Sequence, residues 1–321
     1  MLERKDKMIR KIAVIGAGTM GHGIANTFAR HGYDVRIYDS FSQSLDLVLD
    51  RIRGELEFMV SEDYITQSEA EDALGNVTVC RDLASAVSDA DYVIEAITEK
   101  LGPKKALFKE LDALCPPETV FASNTSSLKL QDIIEDLPPE RQKMSMVSHW
   151  YNPAYLIPCV ELSKFGNMDD EVFDQVMELY VNSGKKPVRI LKDVTGMIAN
   201  RLLHALAREA FRLVEEGVGE KEDVDNALKY GPCFRGATTG MMDVADMGGL
   251  DVWVTAEDNI FPALDNSDRA CGMMRKLVEE GHYGLKTGKG FGEYPEGRAE
   301  EVQKDFLRRL ITQLKASEYY E

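Results

Sequence analysis

The sequence predicts an α/β fold in which a doubly wound sheet is followed by an all-α domain. In the first half of the chain, short apolar runs rich in β-branched residues alternate with amphipathic segments of helical periodicity. This alternation predicts a parallel sheet covered by helices on both faces. From about residue 193 the segments become longer, helical and rich in Met, Ala and Leu. We therefore predict two domains, residues 1–192 and residues 193–321.

Each element follows from its hydrophobic pattern. Short buried runs predict strands at residues 11–15, 35–38, 92–97, 120–123, 144–148, 159–162 and 188–191. Apolar residues three and four positions apart predict helices at residues 20–30, 43–57, 104–114, 130–137 and 170–182. In the second domain the same spacing predicts helices at residues 198–216, 221–230, 242–254 and 268–280, then a glycine-rich loop at 282–297 and a final charged helix.

The charge of the chain excludes some classes of partner. Lys and Arg total 38 against 55 Asp and Glu, which gives a net charge of −17 over 321 residues. Such a surface repels phosphate backbones and anionic lipids, so we expect neither a nucleic acid nor a membrane partner. The five cysteines are scattered and odd in number, and the first residues lack the features of a secretory signal. We therefore expect a cytoplasmic protein, and the sequence indicates no metal site.

A glycine motif joins the first predicted strand to the first predicted helix. Its candidate cofactor-binding residues are Gly16, Gly18, Thr19, Met20 and Gly21. A G-x-G-x-x-G turn in this context forms the phosphate-binding turn of a Rossmann-type, dinucleotide-binding domain. Asp39 ends the second strand, where a carboxylate accepts hydrogen bonds from a ribose 2′-hydroxyl and repels a 2′-phosphate. The motif therefore predicts NAD rather than NADP, and the alternative is a plain glycine turn with a surface aspartate.

One of the five histidines stands out by its position. His149 ends a predicted strand and opens a turn-rich loop at the carboxyl edge of the sheet, where open α/β folds bind ligands. Glu161 follows on the next strand, and turns at Pro153 and Pro158 allow its carboxylate to reach the imidazole. A histidine oriented by a carboxylate is suited to remove the hydroxyl proton during alcohol oxidation. From spacing alone, a structural histidine is an equally good interpretation.

Five separated motifs resemble the L-3-hydroxyacyl-CoA dehydrogenase family. They are SNTSSL at residues 123–128, HWYNP at 149–153, Glu161, NRLL at 200–203 and GLKTGKGF at 284–291. Their order and spacing match over nearly the whole chain, from residue 11 to residue 294. The resemblance implies a C-terminal helical domain that closes over a small hydroxyacyl substrate and forms a homodimer.

The resemblance also implies roles for individual residues. It implies that His149 is the general base and acid, that Glu161 orients it, and that Ser126 and Asn200 hold the substrate oxygen. The positions that match NAD contacts in the family are Asp39, Glu99, Lys104, Asn152 and Lys286.

Simpler interpretations stand beside these roles. Ser126 and Asn152 are also suited to cap turns, Lys104 to lie on the surface of the first helical turn, and Lys286 to be a solvated loop lysine.

The sequence departs from thioester-using relatives in the region after the second strand. The resemblance implies lysines in this region for enzymes that use coenzyme A thioesters. Residues 43–74 of this chain contain no lysine and nine acids. The only basic residues of this region are Arg51 and Arg53. The segment NPAYLIPCVEL, at residues 152–162, resembles another branch of the family. That branch contains lambda-crystallin, L-gulonate dehydrogenase and related enzymes that act on small free hydroxy acids.

Other positions point in different directions. Thr195 stands where a proline is usual, and residues 278–294 resemble bacterial 3-hydroxybutyryl-CoA dehydrogenases. Arg235 is a candidate carboxylate clamp, because guanidinium binds carboxylate bidentately, or else a surface arginine near a turn.

Three functions remain open at this point. The leading hypothesis is an NAD-dependent oxidoreductase that interconverts a 3-hydroxyacyl and a 3-oxoacyl group. One alternative is a dehydrogenase of a small free hydroxy acid, of the L-gulonate or carnitine dehydrogenase kind. The other is a non-catalytic, NAD-binding structural protein.

Overall fold

The computed structural model describes residues 8–165 and 168–320. The chain divides into two compact units, of which the first ends at Ala199 and the second begins at Asn200. The predicted domain boundary at residues 192 and 193 lies upstream of this division and remains a prediction. The first unit carries the sheet and its covering helices, and the second is helical, as the sequence predicts.

The first unit contains one sheet of eight strands in the order β3-β2-β1-β4-β5-β6-β7-β8. The strands are β1 (Lys11–Ile15), β2 (Asp34–Tyr38), β3 (Val77–Val79), β4 (Tyr92–Glu95), β5 (Val120–Ser123), β6 (Ser145–Trp150), β7 (Cys159–Ser163) and β8 (Lys186–Arg189). All neighbours are parallel except β6 and β7, so the sheet is mostly parallel, with one antiparallel pair that brings Glu161 back beside His149. The connection at residues 151–158 is too short for the crossover that a parallel pair requires.

Helices cover both faces of this sheet. They are α1 (Gly21–Arg30), α2 (Ser42–Ser61), α3 (Gln67–Gly75), α4 (Leu83–Val87), α5 (Leu101–Leu114), α6 (Leu130–Ile134), α7 (Pro139–Gln142) and α8 (Asp170–Asn182). Alternate residues of β1 point to opposite faces, because side chains of a strand alternate. Ile12 and Val14 pack with Phe28 of α1 on one face, whereas Ala13 and Ile15 belong to the core on the other face.

The longer strands all follow the predicted hydrophobic runs, whereas β3, α3, α4 and α7 carry no pattern that predicts them. β3 has three residues, too few for a recognisable hydrophobic pattern. α3 is rich in acids and is defined at its start by a capping box, in which the Thr66 hydroxyl and the Glu69 carboxylate bond to each other's backbone N–H. The short helices α4 and α7 are missed for the same lack of periodic apolar residues.

In the described residues the second unit is built from seven α-helices, the first of which begins at Ala199, the last residue of the first unit. They are α9 (Ala199–Glu215), α10 (Lys221–Tyr230), α11 (Pro232–Gly236), α12 (Met241–Gly248), α13 (Leu250–Ile260), α14 (Gly272–Glu279) and α15 (Arg298–Ser317). The single helix predicted at residues 242–254 is wrong, because Gly249 adopts a φ of 88° that separates α12 from α13. Over residues 8–165 and 168–320, no helix combines the length and apolar character needed to cross a membrane.

Candidate active site

The glycine motif forms a tight turn between β1 and α1. Gly16 has a φ of 110°, and its N–H donates to the Tyr38 carbonyl oxygen at 2.7 Å. A β-carbon added at Gly21 would overlap the Gly16 carbonyl oxygen, and one added at Gly16 would lie 2.6 Å from the Ala96 carbonyl oxygen. The space beside Gly18 is open, since no described neighbouring atom lies within 4 Å of an added β-carbon there. Two glycines close the turn, and the third leaves room for a phosphate against the backbone.

Asp39 follows β2 and holds this turn from the side. Its Oδ2 atom accepts the Ala17 N–H at 2.7 Å. Arg51 on α2 donates from Nη1 to the Ala17 carbonyl oxygen at 3.1 Å. Thr19 is exposed and Met20 is half-buried at the start of α1. The structure therefore brings the carboxylate expected to bind ribose next to the turn expected to bind phosphate.

The antiparallel pairing of β6 and β7 places His149 directly opposite Glu161. Nδ1 of His149 lies 2.9 Å from Oε2 of Glu161, and the Glu161 side chain is fully buried. Oε1 of Glu161 accepts the N–H groups of Ile198 and Ala199 at 2.8 and 2.9 Å. Burial would raise the pKa of Glu161, but the hydrogen bonds from His149 and the two amides lower it below its ordinary value. The ionised carboxylate keeps the proton on Nδ1 and leaves Nε2 as the acceptor.

Two neighbours fix the end of β6 that carries His149. The Tyr151 ring meets the imidazole edge-on, with 5.2 Å between ring centroids. Burial raises the pKa of Tyr151, and the charge of Glu161 adds to this effect, so its hydroxyl stays protonated. Asn124 accepts the Trp150 N–H at its Oδ1 atom at 2.8 Å. Sequence reasoning missed Asn124, although it lies inside the SNTSSL motif.

Glu99 anchors the serine loop that follows β5. Its Oε1 atom accepts the Thr125 hydroxyl at 2.7 Å and the N–H groups of Ser126 and Ser127 at 2.8 and 2.9 Å. Burial opposes ionisation of Glu99, but these hydrogen bonds and the charge of Lys104 lower its pKa to about 2. Glu99 therefore holds Ser126 in place as a carboxylate throughout the neutral range.

Lys104 connects Glu99 to a second carboxylate that the sequence analysis did not single out. Its Nζ atom lies 2.6 Å from Oε1 of Glu95 and 3.2 Å from Oε2 of Glu99. Glu95 is fully buried at the end of β4, and its Oε2 atom accepts the Ser123 hydroxyl at 2.6 Å. Lys104 has 1% of its surface exposed, so its interpretation as a helix-surface lysine is wrong. A glutamate that ends an apolar run is the only sequence signal that could have identified Glu95.

The remaining candidate residues lie in exposed or helical positions. Asn152 is exposed at the start of the loop between β6 and β7. In the second unit, Asn200 lies in the first turn of α9, and Arg235 is exposed on α11. Lys286 is exposed in a 3₁₀ turn, Leu285–Thr287, that Gly288 ends with a φ of 74°.

Two family models together match most of this chain. The 3-hydroxyacyl-CoA dehydrogenase NAD binding domain matches residues 11–194, and the C-terminal domain of the same family matches residues 196–294. The chain belongs to the 3-hydroxyacyl-CoA dehydrogenase family. It is an NAD-dependent oxidoreductase. The open Gly18 position and the Asp39 carboxylate fit this cofactor, whose pyrophosphate and ribose they would hold.

Known relatives of this chain include thioester enzymes and an enzyme of a free carboxylate. A probable 3-hydroxybutyryl-CoA dehydrogenase of Bacillus subtilis is 34% identical and covers 90% of this chain and 98% of its own. The 5-formyl-3-hydroxy-2-methylpyridine 4-carboxylate 5-dehydrogenase of Mesorhizobium japonicum is 32% identical, with coverages of 95% and 97%.

Solved structures give the same two kinds of relative. A crystal structure of a 5-formyl-3-hydroxy-2-methylpyridine 4-carboxylic acid 5-dehydrogenase matches with a TM-score of 0.88 and 30% identity. The match covers 97% of this chain and 99% of that one. The (S)-3-hydroxybutyryl-CoA dehydrogenase of Ralstonia eutropha matches with a TM-score of 0.72 and 28% identity, with coverages of 90% and 100%.

Proposed function

We propose that the chain interconverts a 3-hydroxyacyl and a 3-oxoacyl group, with His149 as the general base and acid. The observation that carries this proposal is the buried hydrogen bond between His149 and Glu161 at the carboxyl edge of the sheet. Nε2 of His149 accepts the proton of the substrate hydroxyl, and Glu161 stabilises the resulting imidazolium. Bound NAD supplies the hydride acceptor. In the reverse direction His149 returns the proton to the carbonyl oxygen.

The other candidate residues position the reactants. Ser126, held by Glu99, and Asn200 supply polar groups for the substrate oxygen, since a developing alkoxide is stabilised by fixed donors. The residues proposed to contact NAD are Gly16, Gly18, Thr19, Met20, Gly21, Asp39, Glu99, Asn152 and Lys286. Lys104 supports the cofactor side through Glu99 and Glu95, because both carboxylates already contact its Nζ atom.

A second candidate substrate is a small free acid instead of a coenzyme A thioester. On α2 and α3, acids dominate the surface, and the two arginines are already engaged. Arg51 donates to the Ala17 carbonyl oxygen, and Arg53 pairs with Asp50 at 2.5 Å. A polyanionic coenzyme A nucleotide gains little from such a surface. The similarity to a pyridine-carboxylate dehydrogenase supports the same candidate, and Arg235 is its proposed carboxylate clamp.

A rate comparison distinguishes the two substrates. The purified chain is given NAD with 3-hydroxybutyryl-CoA and, separately, with free 3-hydroxybutyrate and a panel of aromatic and aliphatic hydroxy acids and aldehydes. The thioester proposal predicts a kcat/KM at least about 100-fold higher for the thioester, because remote binding energy is then available. If a free acid gives a higher kcat/KM than 3-hydroxybutyryl-CoA, the thioester proposal is wrong and the free acid is the substrate class. His149→Gln serves as the blank in every assay.

We also propose a homodimer formed by the second unit and a cytoplasmic location. Large apolar side chains on its helices are exposed, among them Phe234 at 69%, Met242 at 80% and Met247 at 72%. Exposed apolar groups of this size favour association. The odd number of scattered cysteines supports a reducing compartment. Light scattering should give about twice the 35.9 kDa chain mass, and cell fractionation tests the location. A monomeric mass over the working concentration range would contradict the dimer.

A further inference from the structure

Lys185 is a buried lysine behind the loop that joins His149 to Glu161. We name residues 151–158 the dyad loop, because this segment connects β6 to β7. The ammonium group of Lys185 donates to the carbonyl oxygens of Ala154 at 2.6 Å and Ile157 at 2.8 Å. Only 4% of the Lys185 surface is exposed. A single side chain, from the residue just before β8, therefore bridges two carbonyls of the dyad loop.

The dyad loop also rests closely on α1. A β-carbon added at Gly23 would lie 3.1 Å from the Ala154 β-carbon, so only glycine permits this approach without displacement of the loop. The Thr27 hydroxyl lies 3.4 Å from the Ala154 carbonyl oxygen that Lys185 also contacts. Since α1 begins at the phosphate-binding turn, the loop is held between the nucleotide helix and Lys185.

Among residues 8–165 and 168–320, no carboxylate forms a salt bridge with Lys185. Its Nζ atom lies 4.9 Å from the centroid of the Trp150 ring, a cation–π arrangement. Burial lowers the pKa of Lys185 to about 7; Arg30 lowers it further, and Cys159 opposes the shift. A cation buried against backbone carbonyls adds little net stability. Its specific effect is to fix the positions of the two carbonyls that it bridges.

We propose that Lys185 is a positioning residue that holds the dyad loop and thereby places Tyr151 and Asn152 beside His149. The strand register fixes His149 and Glu161 themselves, whereas Tyr151 and Asn152 lie at the start of the loop, just beyond the paired residues. Tyr151 contacts the imidazole ring. The catalytic part of this inference rests on the proposed function of His149.

The test compares Lys185→Met with Lys186→Met, which changes the next residue, an exposed lysine. We expect kcat per folded active site to fall about tenfold in Lys185→Met, because small misplacements of reacting groups cost one to two orders of magnitude. The Kd for ADP-ribose, which lacks the nicotinamide, should stay within about twofold of the unchanged protein, because its phosphate turn is not altered. Lys186→Met should leave both quantities unchanged.

Hydrogen exchange provides a readout that does not depend on turnover. The Leu156 and Ile157 amides both donate to the Pro153 carbonyl oxygen, and they should exchange faster in Lys185→Met alone. If Lys185→Met does not fold, Lys185→Gln, which keeps one amide donor, is measured in its place with the same expectations. An unchanged kcat with unchanged exchange overturns the proposal, and so does an equal loss of ADP-ribose binding. If His149→Gln retains turnover, the proposed base is wrong, but the exchange data still decide the role of Lys185.

Discussion

Two histidines in the described part of the first unit lie beside a glutamate, and the two pairs differ in how the imidazole and the carboxylate are held. His149 and Glu161 form an aligned hydrogen bond of 2.9 Å at the carboxyl edge of the sheet. His22 on α1 approaches Glu55 on α2 at 2.7 Å, but its Nδ1 atom lacks hydrogen-bond alignment. A short distance between imidazole and carboxylate therefore does not identify a catalytic pair.

The difference lies in what holds each carboxylate. Glu161 is opposite His149 in the strand register, and its second oxygen is held by two backbone amides. Glu55 is carried by a helix, and its second oxygen accepts a side-chain amide hydrogen of Asn26 at 2.8 Å. Two backbone donors at the start of a helix define an orientation more tightly than the side chains of His22 and Asn26. The anchored carboxylate is therefore the one suited to orient a general base.

The largest expected difference between the pairs is in turnover. His149→Gln should reduce kcat by about 10³-fold to 10⁴-fold, because general base catalysis contributes up to this amount. His22→Gln should change kcat by less than about threefold, since the partner of the His22 side chain is Glu55 on α2 and not His149 or Glu161. Both variants are assayed under saturating NAD and substrate. Similar losses in the two variants would break the distinction between the pairs.

The carboxylates should show the same contrast at a smaller scale. Glu161→Gln should reduce kcat on the order of 10²-fold, because the imidazole remains but its imidazolium form loses its counter-charge. Glu55→Gln should leave kcat within about threefold, since Glu55 contacts His22 and Asn26 and makes no contact with His149 among the described residues. The readout is the pH profile of kcat together with its maximum. Full activity in Glu161→Gln would show that Glu161 does not assist the base.

Sequence patterns predicted the pair of His149 and Glu161, here called the anchored pair, but not the contacts that support the surrounding site. The loop between His149 and Glu161 contains two prolines and is short, so a reversal of the chain was predictable. The buried ion pair of Glu95 with Lys104 was not, because a helix position alone does not show whether a lysine points inward. The break at Gly249 was missed because apolar spacing continues on both sides of the glycine. Long-range packing decides these features, and local periodicity does not record it.

The smallest expected difference concerns the acid stability of the anchored pair. The pKa of Glu161 is lower in the folded protein than its ordinary value, so its ionised form stabilises the fold above the unfolded pKa. This stabilisation is lost as the pH falls through the folded pKa. Glu161→Gln should therefore lower the free energy of unfolding by on the order of 1–3 kcal/mol at neutral pH, by loss of charged hydrogen bonds. The difference from the unchanged protein should shrink below about pH 4.5.

Denaturant unfolding of the first unit measures this difference most directly. Trp150 is buried beside His149, and replacing Trp253 by Phe makes it the only tryptophan that reports. Glu318→Gln, a change at an exposed carboxylate after α15, controls for the general effect of removing a negative charge. A stability difference for Glu161→Gln that is constant from pH 7 to pH 3 would mean that the ionised carboxylate is not what holds Ile198, Ala199 and His149 together. The two pairs would then differ only in geometry, because stabilisation by an ionised carboxylate is lost when that carboxylate is protonated.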